Sequence, residues 1–179
     1  MLLKTLIMLA VIVVAFVIIV ALRPSDFRVV RSATINAPAE AVFAQINDLH
    51  NYEVWNPWGK YDPNIKITFD GPRAGRDAAM SWVGNNQVGS GRMTITESVP
   101  GEVVRARLDF LKPFPSTATA EFTLVPHGAE TTLTWSMFGR HTFVPKAAGL
   151  FMNMDKMIGG EFEKGFAQMK SIVETPSKK

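Results

Sequence analysis

The stretch ATINAPAEAVFAQINDLHNYEVWNPW covers Ala33–Trp58 and contains the end of one predicted strand and the start of a predicted helix. Pro38 suits the first helical turn, because a proline has no N–H group to leave unpaired there. Val42, Phe43 and Ile46 recur at helical spacing and predict the buried side of this helix. A second short helical turn is expected to follow.

Two tryptophans, Trp55 and Trp58, stand only three residues apart at the end of this stretch. Pro57 disfavours the helical conformation of Asn56, so the pair is predicted to lie on a loop. Two interpretations stay open for these large rings. They either anchor the loop on the core or cover an opening.

Alternation of apolar and polar residues predicts seven strands, each with one buried and one solvated face. The first covers residues 27–36, where Arg31 interrupts the apolar parity. The apolar residues of the six later strands are Ile65, Ile67, Phe69, Met80, Trp82, Met93, Ile95, Val104, Ala106, Leu108, Phe110, Ala118, Ala120, Phe122, Leu124, Leu133, Trp135 and Met137. Short turns rich in Gly, Pro and Asn separate them, which favours one antiparallel sheet.

A long helix is predicted from about Pro145 to Glu174, because apolar residues recur there at helical spacing. Its apolar positions include Met154, Ile158, Phe162, Phe166 and Met169. One helix can cover the apolar face of seven strands if the sheet curves around it. The predicted fold class is therefore α+β, with the two short helices covering one end.

The segment Thr5–Leu22 has no charged residue. As a helix it would be about 27 Å long, close to the ~30 Å hydrocarbon core of a membrane. A cleaved signal peptide is the rival interpretation, although the segment is longer than the apolar region of such peptides and Arg23-Pro24 is a poor cleavage flank. A buried core helix would need a polar face. We therefore expect an anchor in residues 1–24, a domain in residues 25–175 and a polar tail in residues 176–179.

Basic residues near the ends of this segment suggest the orientation of the anchor. Lys4 precedes it, whereas Arg23, Arg28 and Arg31 follow it and Asp26 offsets one of them. The positive-inside rule then favours a cytoplasmic domain by about one charge. We expect a single-pass protein of a bacterial inner membrane.

Composition restricts the possible chemistry. The net charge of the chain is +3, and part of it belongs to the anchor, so the domain has no basic excess suited to nucleic acid. The chain has no cysteine, which excludes disulfides, zinc–thiolate sites and cysteine nucleophiles. His50, His127 and His141 lack metal-ligand spacing. We expect no cofactor, no metal and no catalytic residue.

Other polar residues have simple interpretations. Asp48 and His50 are expected to pair at the surface, and Arg105 with its neighbours Arg107 and Asp109 to lie on the solvated sheet face. Glu161, on the long helix, is expected in solvent or in a surface pair, although it is close enough in sequence to the apolar positions to reach the interior.

The order of elements and the stretch Ala33–Trp58 resemble the START-like superfamily of polyketide cyclases/dehydrases and lipid-transport proteins, often called SRPBCC. That superfamily has an APAEXVF helix start, an aspartate and a tryptophan-rich segment. These correspond here to Ala37–Phe43, Asp48, and Trp55 with Trp58. The resemblance covers residues ~27 to 174 and implies a helix-grip fold. In such a fold, a curved sheet and a long helix enclose an apolar cavity.

The resemblance implies that the inward-facing residues line a cavity for a lipid, quinone or polyketide-like molecule. The expected lining residues are Trp55, Trp58, Phe69, Met80, Trp82, Met93, Leu108, Phe110, Phe122, Trp135, Met137, Met154, Ile158, Phe162 and Met169. A packed core without a cavity would produce the same pattern. We therefore expect a membrane-anchored binding or carrier domain. The alternatives are a cyclase/dehydrase-type enzyme and a protein-interaction module without a ligand.

Overall fold

The computed structural model describes residues 2–174, and the predicted polar tail lies outside these residues. The helices are α1 (Leu2–Leu22), α2 (Ala39–Asn47), α3 (Leu49–Trp55), α4 (Phe143–Ala148) and α5 (Met154–Val173), with a 3-10 turn at Pro57–Tyr61. The strands are β1 (Asp26–Ile35), β2 (Lys66–Asp70), β3 (Ala79–Val83), β4 (Ser90–Val99), β5 (Val103–Lys112), β6 (Ser116–His127) and β7 (Glu130–Arg140).

The seven strands form one antiparallel sheet in the order β1-β7-β6-β5-β4-β3-β2. The chain goes from β1 through α2, α3 and the 3-10 turn to the far edge, and then returns strand by strand to β7. The sheet curves, and α5 lies against its inner face. This is the predicted helix-grip architecture, and the prediction of the fold class is confirmed.

The predicted helix over residues 145–174 is wrong in its first part. The structure has the short helix α4, a break at residues 149–153, and then α5. Asn153 begins α5, because its side-chain oxygen accepts a hydrogen bond from the N–H group of Lys156 at 2.9 Å. Asparagine is a favoured residue at this capping position. The break therefore has a local cause.

The predicted tryptophan loop is also corrected. Trp55 is the last residue of α3, and Trp58 lies in the 3-10 turn that follows. Asn56 between them is not helical, in agreement with the restriction imposed by Pro57, and its side chain accepts a hydrogen bond from the Trp58 N–H group at 3.2 Å. The proline thus separates two helical turns without an intervening open loop.

The parity break at Arg31 has a structural explanation. Arg31 lies opposite Trp135 on the inner face of the sheet, where α5 crosses the edge strand β1. Its guanidinium forms ion pairs with Asp155 at 2.9 Å and with Glu163 at 3.1 Å. The charge is thus neutralised by the helix that covers it. This arginine joins the edge of the sheet to α5.

The helix α1 is apolar except for Lys4 and Thr5 near its start, and nearly all of it is exposed. It is long and apolar enough to cross a membrane. A signal sequence at an N-terminus would have the same properties.

Candidate functional site

The inner face of the sheet divides into a sealed part and a half-buried part. Seven of the fifteen expected lining residues are almost completely buried: Trp55, Met80, Met93, Phe122, Trp135, Phe162 and Met169. The rings of Trp135 and Phe162 stack at 4.1 Å between centroids. These side chains pack on one another beneath α2, α3 and α5, and they form the core of the domain.

Seven other expected residues are only half-buried: Trp58, Trp82, Leu108, Phe110, Met137, Met154 and Ile158. We call this set the groove. Its rings are in contact, since the centroids of Trp82 and Phe110 lie 5.9 Å apart. Gly91 lies between these two residues in the sheet, and a Cβ atom there would be 2.5 Å from the Trp82 ring. The lack of a side chain at Gly91 leaves room for that ring.

The groove lies at one end of the inner face. Trp82, Phe110 and Met137 are near the ends of β3, β5 and β7 that point towards the start of β1. The opposite end is closed by α2 and α3. An apolar surface that is half-exposed at one end of a sealed core is a suitable position for an apolar ligand.

Phe69 is the fifteenth expected residue, and it belongs to a different place. It faces a cleft of about 380 Å³ at the opposite end of the sheet, together with Leu49, Arg73 and Ala78. The His50 ring stacks on the Phe69 ring at 3.9 Å. Phe69 is therefore separated from the groove.

The two tryptophans of the opening stretch have different surroundings. Trp55 is completely buried, and its indole N–H group donates a hydrogen bond to the Gln45 carbonyl oxygen at 2.8 Å. Trp58 is half-buried and has edge contacts with the rings of Trp135 and Phe162. Trp55 holds α3 on the core, whereas Trp58 lies between the core and the groove.

Glu161 on α5 differs from its predicted position in solvent, because its side chain is 14% exposed. One carboxylate oxygen accepts hydrogen bonds from the Tyr61 hydroxyl at 2.8 Å and the Lys164 ammonium at 2.7 Å. The hydrogen bond to Glu161, with a further one to Tyr61, raises the pKa of Lys164 above its ordinary value. The predicted surface pair is therefore present at the junction of α5 and the 3-10 turn.

The second carboxylate oxygen of Glu161 is buried and has no hydrogen-bond partner within residues 2–174. A buried, unpaired acceptor is costly, and each one needs an explanation. Trp58 belongs to the same 3-10 turn, and Ile158 lies one helical turn before Glu161. Glu161 is thus linked to two groove residues, to Trp58 through Tyr61 and to Ile158 along α5.

The expected pairing of Asp48 with His50 is present, with the imidazole nitrogen 3.1 Å from the carboxylate. Arg73 also binds this carboxylate at 2.7 Å. Although burial raises the pKa of Asp48, hydrogen bonds from Arg73 and His50 outweigh it and hold the pKa below its ordinary value. The pair lies at the closed end of the domain.

The other two histidines lie at opposite ends of the sheet. His127 is exposed at the end of β6. His141 follows β7 and stacks on the inward-facing Phe27 at 4.1 Å, so its ring is closer to the interior than the sequence pattern predicted. Burial lowers the pKa of His141 and favours the neutral ring.

The expected charge ladder lies on the outer face of the sheet. Arg105 forms ion pairs with Glu97 and Glu121, and Arg107 forms one with Asp109. These are cross-strand or same-strand pairs with partial exposure, and such pairs contribute little to stability.

The sequence pattern of one protein family, described as polyketide cyclase/dehydrase and lipid transport, matches residues 26–174. The chain belongs to this family. The match begins at β1 and ends with α5, so it covers the whole domain and excludes α1. A search of curated proteins found no significant match to this chain.

Solved structures share the fold of this polyketide cyclase/dehydrase and lipid-transport family member. Protein CV1439 from Chromobacterium violaceum is 17% identical, with a TM-score of 0.60, and the match covers 86% of this chain and 99% of that one. The Aha1 dimer from Colwellia psychrerythraea is 12% identical, with a TM-score of 0.59 and coverage of 84% and 98%. The di-domain ARO/CYC StfQ from the steffimycin biosynthetic pathway is 10% identical, with a TM-score of 0.60 and coverage of 84% and 51%. At these identities the likeness shows the fold alone.

The sequence pattern did not predict a role for Tyr61 or Lys164, although both donate hydrogen bonds to Glu161. The i,i+3 spacing of Glu161 and Lys164 was a usable signal. The contact with Tyr61 joins residues 100 positions apart, which a local pattern does not contain.

Proposed function

We propose that this family member is a membrane-anchored domain that binds or carries a hydrophobic small molecule in the groove. The ligand class is a lipid, quinone or polyketide-like compound. The family is described by both polyketide and lipid chemistry, and a hydrophobic ligand is common to the two.

The observation that carries this proposal is the half-buried state of the groove. Trp82, Phe110 and Met137 continue the apolar inner face of the sheet, yet they are not sealed by a helix as the core residues are. Covering them with an apolar molecule would gain about 25 cal/mol per Å² removed from water. Methionine adds a side chain that adapts to different ligand shapes.

The helix α1 supports the proposal. A domain held at a bilayer meets lipid-soluble molecules at a high effective concentration, because they are confined to the same surface. Only residues 23–25 separate α1 from β1, so the domain would remain close to that surface.

A substitution that fills the groove with a bulky side chain tests this proposal. Leu108→Trp places a bulky ring among the groove residues, whereas Leu111→Trp places the same ring on the exposed outer face of the same strand. Native mass spectrometry of full-length protein released from detergent measures the co-purifying apolar compound. We expect Leu108→Trp to lose most of this compound and Leu111→Trp to keep it. Equal occupancy in both variants would contradict the proposal.

A second candidate function is a cyclase/dehydrase-type enzyme, and the buried unpaired oxygen of Glu161 favours it. A carboxylate beside an apolar site can accept a proton from a bound molecule. Tyr61 and Lys164 would hold its other oxygen in place.

Glu161→Gln tests this candidate, with Glu163→Gln as the control on the exposed side of the same helix. If the protein were a dehydrase, Glu161→Gln would retain a compound heavier by one water molecule than the compound bound to the parent. If the parent and both variants hold the same compound, the carrier function stands.

A further inference from the structure

The helix α4 and the segment after it form an exposed apolar surface. Every residue of α4 is at least partly exposed, although it includes Phe143 and Val144. In the segment that follows, Phe151 is 81% exposed and Met152 is also exposed. Large aromatic and aliphatic side chains grouped in this way mark an interaction surface.

This surface is attached to the end of α1. The Lys146 ammonium donates a hydrogen bond to the Ala21 carbonyl oxygen at 3.0 Å, at the terminus where a helix favours a positive charge. The backbone N–H group of His141 donates one to the Ser25 carbonyl oxygen at 2.8 Å. The first bond joins α4 to the last turn of α1, and the second extends the pairing of β7 with β1 towards both helices. If α1 spans a membrane, α4 lies at the level where the hydrocarbon ends.

The β5–β6 turn lies at the same end of the sheet. The sheet pairs Asp26 with Arg140, and Ser90 with Lys112, so all four residues belong to the end that carries α1. Phe114, in the turn after Lys112, is exposed there as well. We call the exposed apolar side chains at this end the rim: Phe114, Phe143, Val144, Phe151 and Met152.

Charge separates the two ends of the domain. The residues Arg23, Lys112, Arg140 and Lys146 accompany the rim, and Arg140 is paired there with Asp26 at 3.3 Å. The turns at the opposite end carry the acidic residues Asp70, Asp77, Glu102 and Glu130, which outnumber Arg73 and Arg76 in the same turns. Apolar side chains surrounded by lysine and arginine are typical of surfaces that lie in the interface of an anionic membrane.

We propose that the rim is a second membrane contact, which lies in the interface of the bilayer that holds α1 and favours anionic phospholipid. This inference rests on the proposed membrane anchor. Continuity with α1 and the basic residues favour a bilayer over a protein as the occupant. The contact would turn the groove towards the lipid, because the groove opens at the rim end of the sheet. A cleft of about 600 Å³ between the end of α1 and α4, lined by Arg23, Phe27 and Lys146, adjoins the rim.

Spin-label depth measurements test the contact in the full-length chain. The chain has no cysteine, so each introduced cysteine is the only labelling site. Phe151→Cys and Val144→Cys report on the rim, Val13→Cys reports on α1, and Val125→Cys is the control. Val144 is 42% exposed and Val125, at the opposite end of the sheet, is 50% exposed, so these two labels differ mainly in location.

The protein is reconstituted into vesicles of an equimolar mixture of phosphatidylcholine and phosphatidylglycerol. Collisions with oxygen, which is concentrated in lipid, are compared with collisions with a water-soluble nickel complex. We expect labels at positions 144 and 151 to collide more with oxygen and less with nickel than the label at position 125. The label at position 13 should be deeper still.

Each other outcome overturns a different statement. A label in lipid at position 13, with positions 144 and 151 indistinguishable from position 125, overturns the rim contact and leaves the anchor. Loss of nickel collisions at the rim without a gain in oxygen collisions indicates a protein contact, including a second copy of this chain, and overturns the bilayer as occupant. A label in water at position 13 overturns the anchor, and with it this inference.

Discussion

Trp55 and Trp58 lie in one short stretch of sequence but differ in burial and in their expected contribution to stability. The Trp55 side chain is completely buried and its indole N–H group is hydrogen-bonded. Trp58 is half-buried and belongs to the groove. We expect Trp55→Ala to lower the free energy of unfolding by about 3–5 kcal/mol, as for other fully buried aromatic rings. Trp58→Ala should cost about 1–2 kcal/mol, because less of its surface is removed from water on folding. Denaturant unfolding in detergent, followed by circular dichroism, measures both values.

Phenylalanine variants separate stability from ligand response. Protein stripped of lipid and titrated with its own lipid extract should change its tryptophan emission. We expect Trp58→Phe to reduce this change and Trp55→Phe to preserve it. Equal effects from the two variants, or no effect from either, would mean that Trp58 does not report on the groove.

The sequence predicted this difference only in part. Pro57 indicated a break between the two rings, and the break is present. The sealing of Trp55 depends on α2, β7 and α5, which meet in space but are distant in the chain. Burial of the ring is thus a tertiary property, which the spacing of residues within the stretch does not determine.

At the scale of elements, two glycines of α5, Gly160 and Gly165, have very different surroundings. A Cβ atom at Gly165 would lie 2.9 Å from a ring carbon of Trp135 and 3.4 Å from one of Trp55. A Cβ atom at Gly160 would meet no atom within 4 Å. The two positions therefore form a matched pair within one helix.

We expect Gly160→Ala to stabilise the protein by about 0.5–1 kcal/mol, because alanine restricts the unfolded chain and favours helix. Gly165→Ala makes the same local gain, but overpacking against buried rings costs about 1–3 kcal/mol. The unfolding midpoint in urea should therefore rise for the first variant and fall for the second. A similar rise in both would show that α5 does not rest directly on the core.

The strands and α5 were predictable from the sequence, whereas the break before α5 was not, for a physical reason. Alternation has a period of two residues and marks each strand locally, and the seven strands appear where the alternation lies. The prediction of a continuous helix before Met154 was wrong. The apolar residues of α4 and of residues 149–153 resemble the buried side of a helix in sequence, but they are at least partly exposed in the structure. The Asn153 capping position was the local signal that separates α4 from α5.

The division of the predicted cavity residues into core and groove is a property of the curved sheet. Alternation assigns the strand residues among them to one face of the sheet. Which of them are sealed depends on how far α2, α3 and α5 extend over that face. That coverage follows from the packing of whole elements, so the pattern of single strands does not contain it.

At the scale of the whole molecule, the two ends of the sheet differ in their apolar and charged residues. The end with α1 carries the groove, the rim and the basic residues. The opposite end is closed by α2 and α3 and carries acidic turns. Under the proposed rim contact, the end beside α1 faces the membrane and the opposite end faces water, even without α1.

Because the two ends of the sheet differ in this way, the domain should fold and bind vesicles without α1. Residues 25–179 should fold without α1, because Val20 is the buried residue that α1 provides and the core lies between the sheet and α5. Circular dichroism and a cooperative thermal transition would establish the fold. The folded domain should then sediment with vesicles of phosphatidylcholine and phosphatidylglycerol, and less with phosphatidylcholine alone, since its basic residues interact with anionic lipid.

Phe151→Asp should release this folded domain from the vesicles, whereas Val125→Asp at the opposite end should not. Both changes add the same charge at an exposed apolar position, so a difference between them reports on location. If the two variants sedimented alike, attraction of the whole domain to the vesicle would explain the binding. Because only the rim variant places a charge where apolar contact is proposed, its selective release would show that the end of the domain beside α1 meets the bilayer.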